Sequence, residues 1–200
     1  MADCLNSDAE LMSKVRTGDR EAFEALVTKY RQPVLNFAIR MLHDPSEAED
    51  LAQQTFVQVW KSAARYQTAA KFTTWLFSIA RNLCLNEIRR RSRHPADSLD
   101  ASEQDSEDAP RFQLPDPRAE EGSVTTSRSE LFDLVEQAIR ELPENQRTAL
   151  LLCREEEMSY EEIASVIGTS LSAAKSLIFR GRETLKARLK PYLKTGDWMV

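Results

Sequence analysis

An acidic segment that contains three prolines divides this 200-residue sequence into two parts. Residues 96–127 hold nine Asp and Glu residues against two Arg residues, and their apolar residues have no regular spacing. A segment of this composition cannot bury enough apolar surface to offset the entropy of folding, and it is typical of a linker. The sequence therefore predicts two folding units, residues 1–95 and 128–200, joined by a flexible acidic linker.

Both flanking parts have the apolar spacing of α-helices. Apolar residues recur at intervals of three and four, and the whole chain has only five glycines. This pattern predicts an all-α fold with two small helical domains rather than a β-sandwich or barrel. No apolar stretch has the length of a membrane span, and the N-terminal residues are polar and acidic, unlike a signal peptide. We therefore expect a cytoplasmic protein with no membrane insertion.

The charge of the chain is unevenly distributed. A net charge of -5 argues at first against a nucleic-acid-binding protein, whose surface is usually basic. However, residues 1–95 carry +3, residues 96–127 carry -7 and residues 128–200 carry -1. Most of the acidity thus lies in the linker. We expect the free chain to bind DNA weakly, while either domain can still present a DNA-reading surface.

Four helices are predicted in the first part. Asp8 is the predicted N-cap of the first helix, and the second is expected to continue past Pro33 with a kink. Pro45 suits the first position of the third helix, which should run to about Tyr66. The predicted helices cover residues 8–17, 19–42, 44–66 and 72–93, with a short loop at 67–71.

The fourth helix ends in a cluster of arginines that has two interpretations. Positive charge is favourable at the C-terminus of any helix, and it also suits a surface that contacts phosphates. Aromatic residues lie nearby in the sequence, and single-stranded nucleic acid binds to aromatic side chains beside positive charge. We expect Phe72 and Trp75 in the core. Tyr66, beside the loop, is the best candidate for stacking on a base.

The second part contains the pattern of a helix-turn-helix. Ser159 and Glu162 fit a capping box, and Gly168 suits the left-handed position that ends a short helix. The polar face of the next helix suits the major groove of DNA. An ordinary pair of helices with a solvated face is the alternative, which the exposed position of Phe179 makes less favoured. The candidate reading residues are Ser172, Lys175, Ser176, Phe179, Arg180 and Arg182.

Five sequence blocks, taken in order, resemble the extracytoplasmic-function sigma factors, the smallest members of the sigma-70 family of bacterial transcription initiation factors. The resemblance spans about residues 8–193. The blocks are GDREAF at 18–23, AEDLAQQTF at 48–56, FTTWLFSIARN at 72–82, LPE at 142–144, and SYEEIA at 159–164 followed by KS at 175–176 and FR at 179–180.

The resemblance implies that residues 1–95 bind the clamp helices of core RNA polymerase and recognise and melt the minus-ten promoter element. It assigns contacts with polymerase to Asp50, Gln53, Gln54, Phe56 and Trp60. It assigns a pocket for an extruded base of the single strand to Tyr66, Gln67, Thr68, Lys71 and Asn82. It assigns contacts with phosphates to Arg89, Arg90, Arg91 and Arg93.

For residues 128–200 the resemblance implies recognition of the minus-thirty-five element as duplex DNA, together with binding to the polymerase flap. It also implies that the linker passes through the polymerase cleft, and that a cognate anti-sigma factor, often membrane-bound, inhibits the protein. Two positions depart from the family. Leu177 stands where an arginine is usual, so the promoter sequence is not predicted. Gln54 stands where a glutamate is common, which removes a carboxylate from the expected interface with the clamp helices.

These observations predict a promoter-specificity subunit of RNA polymerase that is not an enzyme. Three widely spaced cysteines without a C-x-x-C pair give no metal site, and no nucleotide-binding or hydrolase motif is found, so we expect no cofactor. Two alternatives stay open. One is a conventional dimeric helix-turn-helix regulator that binds DNA without polymerase, and the other is an adaptor that binds polymerase but not DNA.

Overall fold

The structure is a computed structural model that describes residues 2–66, 71–93, 125–154 and 158–194. Side chains are described for residues 8–66, 71–93, 131–154 and 158–192. Within these ranges the chain forms α-helices, one short 3₁₀ turn and no strand, so the predicted all-α fold is confirmed. The elements are α1 Ala2–Val15, α2 Arg20–Leu42, α3 Pro45–Ser62, the 3₁₀ turn Ala63–Arg65, α4 Phe72–Arg93, α5 Thr125–Arg140, α6 Glu144–Cys153, α7 Tyr160–Ile167 and α8 Leu171–Lys194.

Helices α1–α4 form the N-terminal bundle, and capping residues set its helix starts. Asp19 caps α2 by accepting a hydrogen bond from the Ala22 amide at 3.1 Å. Asp44 caps α3 in the same way, with Pro45 in the first turn. As predicted, α2 continues past Pro33. The third helix ends earlier than predicted, at Ser62, and the 3₁₀ turn carries the chain to Tyr66.

The predicted role of Asp8 is wrong. Helix α1 begins at Ala2, so Asp8 lies within the helix and does not cap it. Its carboxylate is buried and accepts hydrogen bonds from the Lys29 ammonium, at 2.8 and 2.9 Å, and from the Tyr30 hydroxyl. A carboxylate in the first turns of a helix can either cap it or bind a distant partner. Local sequence rules cannot distinguish these roles.

Helices α5–α8 form the C-terminal bundle, which contains the predicted helix-turn-helix. The Glu162 amide donates to the Ser159 hydroxyl, and the Ser159 amide donates to the Glu162 carboxylate at 2.7 Å, which completes the predicted capping box. Gly168 ends α7 with a φ of 75°, as predicted. Helix α5 begins at Thr125, inside the predicted linker, and the rest of that linker lies outside the described residues.

The two bundles pack against each other. Helix α4 lies against α7, helix α2 lies against α5 and α6, and the buried apolar residues of both bundles form one cluster. Polar contacts also cross the boundary. They are the pairs Arg40–Glu136 at 3.0 Å, Lys71–Glu162 at 2.9 Å and Arg81–Asn145 at 3.0 Å, and the bond from the Arg147 guanidinium to the Met41 carbonyl at 2.9 Å.

The imidazole of His43 lies at this boundary. His43 ends α2 in the left-handed conformation, with a φ of 57°. Burial, followed by the positive charges of Arg147 and Arg140, lowers the pKa of His43 from 6.5 to about 4. Its Nε2 atom is buried and has no hydrogen-bond partner among the described residues. The imidazole of His43 is therefore neutral at neutral pH when the bundles are packed, because burial and the neighbouring arginines disfavour its charged form.

None of the helices described is by itself long and apolar enough to cross a membrane. Helices α7 and α8 meet this criterion of length and composition only together, as a pair bent by 96°.

The left-handed turn at Gly168 gives a test of the helix-turn-helix. A side chain at this position meets no atom within 4 Å, so the cost of substitution comes from the backbone conformation alone. We expect Gly168→Ala to lower the free energy of unfolding by about 1–2 kcal/mol. Gly168→Asn is the matched control, because asparagine tolerates this conformation and should cost less. Urea denaturation measures both values, and equal losses in the two variants would contradict the prediction.

His43 gives a second test, through pH. The unfolded chain binds the His43 proton at an ordinary pKa of 6.5, whereas the folded chain binds it only near pH 4. The contribution of His43 to stability is thus complete above pH 6.5 and is lost as the pH falls towards 4. We expect the free energy of unfolding to fall less between pH 7 and pH 5 in His43→Asn than in the wild type. Equal pH dependence in urea denaturation would contradict this.

Candidate functional site

Helix α8 presents most of the predicted reading residues on one exposed face. Ala174 and Ile178 are buried beneath this face, and Phe179 is 65% exposed. Arg182 differs from the others because its guanidinium donates to the sulfur of Cys153 at 3.2 Å, on α6. The residues that line one shallow hollow together with Leu171 are Ser172, Lys175, Ser176, Phe179 and Arg180.

Sequence reasoning missed Tyr160, which lies beside this face. Tyr160 is the first residue of α7 and is partly exposed, and the Lys175 ammonium lies 6.0 Å from the centre of its ring. A cation over an aromatic ring is attracted to it, so Tyr160 helps to fix the direction of the Lys175 side chain. The two residues are 15 positions apart, and only the angle between α7 and α8 brings them together.

A second exposed surface is the groove between α2 and α3. Of the residues predicted to contact polymerase, Gln53, Phe56 and Trp60 line this groove. The ring of Phe23 packs edge-on against Trp60, with ring centres 5.0 Å apart, and holds it at the rim. Val57 adds apolar surface that is 50% exposed. An exposed apolar patch of this kind is typical of a binding surface for another protein.

The other predicted polymerase contacts lie differently. Asp50 and Gln54 are exposed on α3 but do not line the groove. Sequence reasoning did not identify Phe23, Val27 and Val57, which do line it. Phe23 and Val27 have the spacing of ordinary core residues of α2, and only the packing of α2 beside α3 shows that they also line the groove.

Tyr66 is buried, contrary to the expectation that its ring is available for stacking. Only 3% of its surface is exposed, and its ring packs against those of Trp75 and Phe72 at 5.2 and 6.3 Å. Burial, and then the negative charge of Asp8, raise the pKa of Tyr66. Phe72 and Trp75 belong to the first turn of α4, which covers Tyr66. Gln67 and Thr68 lie outside the described residues.

Two further predicted contacts with the single strand lie on or beside α4. Asn82 is exposed. Lys71, just before the helix, forms an ion pair with Glu162 of α7, whose second carboxylate oxygen belongs to the capping box. The C-terminal bundle therefore contacts one edge of the surface that is predicted to hold the minus-ten strand.

The four predicted phosphate contacts of α4 fall into two pairs. Arg90 and Arg91 bind Glu87 at 2.8 and 2.9 Å, and the hydrogen bond from Arg90 is the main reason that the pKa of Glu87 is lowered. Arg91 also binds Asp44, the cap of α3, at 3.1 Å. These two arginines thus tie the end of α4 to the start of α3. In contrast, Arg89 and Arg93 are exposed and form no ion pair with another described residue.

Known families match both bundles. Residues 26–94 match the family described as Sigma-70 region 2, and residues 132–185 match the family described as Sigma-70, region 4. The first match covers most of α2 and all of α3 and α4, and the second covers most of α5–α8.

The similarity to individual proteins extends over almost the whole chain. The sequence is 37% identical over 191 residues to the RNA polymerase sigma-H factor of Pseudomonas aeruginosa, covering 94% of this chain and 96% of that protein. It is 32% identical to the ECF RNA polymerase sigma factor SigW of Bacillus subtilis, covering 90% of this chain and 95% of that protein.

Solved structures with a similar fold include two complexes. CnrH in complex with the cytosolic domain of CnrY matches with a TM-score of 0.67 at 23% identity, over 92% of this chain and 98% of that chain. The sigma factor RpoE of Bartonella quintana, in complex with the anti-sigma factor NepR, matches with a TM-score of 0.63 at 26% identity, over 84% of this chain and 96% of that chain. Both matches extend across the two bundles.

Proposed function

This chain belongs to the extracytoplasmic-function group of the sigma-70 family, whose members are non-catalytic factors that direct transcription initiation, and from this we infer how it works. We propose that its two bundles recognise two different promoter elements. In this proposal the N-terminal bundle comprises residues 1–95 and the C-terminal bundle comprises residues 128–200. The first binds core RNA polymerase and melts the minus-ten element, and the second binds the minus-thirty-five element as duplex.

The exposed face of α8 is the observation that carries this proposal. Lys175 and Arg180 supply positive charge for phosphates and guanine edges, Ser172 and Ser176 can bond to several bases, and Phe179 can contact a thymine methyl group. Phe179 is exposed on this face and is available to contact DNA. The second helix of a helix-turn-helix is the usual element in the major groove.

The groove between α2 and α3 is the proposed site for the clamp helices of core RNA polymerase. Its apolar floor and the ring of Trp60 would be covered by another helix, and this would remove an exposed apolar patch from water. The anti-sigma complex of the related RpoE supports a second, inhibitory partner of the same class for this chain, a cognate anti-sigma factor. Such a factor would keep the sigma factor from polymerase.

Binding to a promoter requires the two bundles to separate. The minus-ten and minus-thirty-five elements lie about 25 base pairs apart, which is about 85 Å along duplex DNA. Packed bundles that share the Lys71–Glu162 ion pair cannot reach both elements. The chain between Arg93 and Thr125 could span about 100 Å if fully extended, so its length permits the separation.

The chemistry of the boundary suits a contact that opens. The Nε atoms of Arg81 and Arg147 are buried without a hydrogen-bond partner among the described residues, as is Nε2 of His43. Buried polar groups without partners cost free energy, which lowers the net stability of the packed state. Contacts between domains of one chain are commonly of this polar, separable kind.

We expect Arg180→Ala to weaken binding to the minus-thirty-five element by about 1–3 kcal/mol, because the side chain contacts base edges or phosphates. Lys190→Ala, an equal loss of charge on the exposed surface of the same helix, is the matched control. The protein is first mixed with core polymerase and a library of genomic fragments, and the transcript starts are sequenced to find a promoter. Affinity of the holoenzyme for the upstream duplex is then measured. Equal affinity for both variants would contradict the assignment.

Asn82→Ala should leave this upstream binding intact but reduce melting of the promoter, since the amide is proposed to bond the edge of an extruded base. Gln137→Ala, which removes another exposed amide, serves as the control. Permanganate reactivity of unpaired thymines in the holoenzyme complex reports melting. Reactivity at the wild-type level in Asn82→Ala would contradict the proposed pocket.

Trp60→Ala should weaken binding to core polymerase by about 2 kcal/mol, as expected for a central aromatic residue of an interface. Glu10→Ala removes an exposed side chain on α1, outside the groove, and should leave core binding unchanged. Fluorescence anisotropy of labelled protein titrated with core polymerase gives both affinities. An equal effect of the two substitutions would argue against the groove as the binding site.

A further inference from the structure

We propose that Asp8 is a positioning residue for the aromatic cluster formed by Tyr66, Phe72 and Trp75, and that it acts through Tyr30 without contacting DNA. The inference rests on the proposed role of the N-terminal bundle in binding the minus-ten strand. It assigns to helix α1 a part in promoter melting that neither the sequence pattern nor the family matches assign to it.

Asp8 is a buried charge with an unusually complete set of partners. Its side chain is only 8% exposed, and both carboxylate oxygens accept hydrogen bonds from the Lys29 ammonium. The Tyr30 hydroxyl donates to one of the same oxygens. A buried carboxylate is costly unless it is paired and hydrogen-bonded, so this site depends on all three groups being in place.

The position of the Tyr30 ring is fixed by these contacts. Asp8 holds its hydroxyl, and the Lys29 ammonium lies 5.0 Å from the centre of its ring. On the other side, the ring of Tyr30 packs against that of Phe72, with centres 5.3 Å apart. Helices α1, α2 and α4 therefore meet at one side chain, and its hydroxyl is the group that Asp8 binds.

From Phe72 the contacts continue into the rest of the cluster. Its ring centre lies 6.3 Å from those of both Tyr66 and Trp75, and these two rings are 5.2 Å apart. Phe72 is the first residue of α4, and Tyr66 is the residue after the 3₁₀ turn. The cluster thus holds together the two chain ends that flank positions 67–70, to which a part of the base pocket is assigned.

The charge of Asp8 also reaches the cluster directly, because, after burial, it is the second cause that raises the pKa of Tyr66. Of the three rings only that of Trp75 is partly exposed, and it packs against the buried rings of Tyr66 and Phe72, so their placement sets the position of the surface on which a base can stack. Loss of Asp8 would leave Lys29 and the Tyr30 hydroxyl without their acceptor and would allow Tyr30, and then Phe72, to shift. The predicted effect is on the capture of a base and not on contact with polymerase.

The test uses holoenzyme assembled from core polymerase and the full chain. Asp8→Ala removes the acceptor, and Tyr30→Phe removes only the hydroxyl and keeps the ring. Glu10→Ala, an exposed carboxylate on the same helix, is the matched control. The readouts are the affinity for a single-stranded oligonucleotide carrying the minus-ten sequence of a mapped promoter, the affinity for the minus-thirty-five duplex, and the affinity for core polymerase.

We expect Asp8→Ala and Tyr30→Phe each to weaken binding of the minus-ten oligonucleotide by about tenfold, which corresponds to about 1.4 kcal/mol. The other two affinities should stay within about twofold of the wild type, and Glu10→Ala should change none of the three. Because Asp8 acts through Tyr30, the double variant Asp8→Ala/Tyr30→Phe should bind the minus-ten oligonucleotide at least as tightly as the single variant with the lower affinity.

Two results would overturn the proposal. One is oligonucleotide affinity at the level of Glu10→Ala in both variants, and the other is an equal loss of all three affinities, which indicates a purely structural role. If Asp8→Ala does not fold, the same three affinities measured for Tyr30→Phe and Asp8→Asn test the proposal. Failure of the wild-type holoenzyme to initiate would instead contradict the proposed function, so the two failures are distinguishable.

Discussion

The contact between the two bundles is the interaction on which the rest of the structure depends. At its centre the Arg147 guanidinium binds the Met41 carbonyl at the end of α2, and it also binds the carbonyls of Arg140 and Leu142 in its own bundle. One side chain thereby joins the end of a long N-terminal helix to the turn between α5 and α6. Burial at this contact, and then the charge of Arg147, lower the pKa of His43 to about 4.

This contact divides the proposed binding surfaces into two classes. The face of α8 and the groove between α2 and α3 lie away from it and are exposed in the packed state. The surface proposed for the minus-ten strand is different, because its residue Lys71 is paired with Glu162 of the other bundle. In the proposed function, the single strand reaches Lys71 only after the bundles separate.

The sequence was sufficient to predict the features that depend on local rules. The helix starts at Asp19 and Asp44, the capping box of Ser159 and the left-handed Gly168 were all predictable, because each depends on residues close together in the sequence. The pairing of Asp8 with Lys29 and Tyr30, and of Arg91 with Asp44, was not. In each case one charged residue has two chemically reasonable roles, and only the packing of distant helices decides between them.

The distance between the bundles tests the central claim most directly. Spin labels attached to cysteines introduced by Ser13→Cys on α1 and Lys186→Cys on α8 report it, after Cys4 and Cys153 are replaced by serine. Cys84 can stay, because burial raises the pKa of its thiol to about 12 and leaves it unreactive. In the free chain we expect a single distance between the two labels, that of the packed bundles. In the holoenzyme on a promoter we expect this distance to increase to more than about 60 Å. An unchanged distance in a complex that initiates transcription would contradict the account.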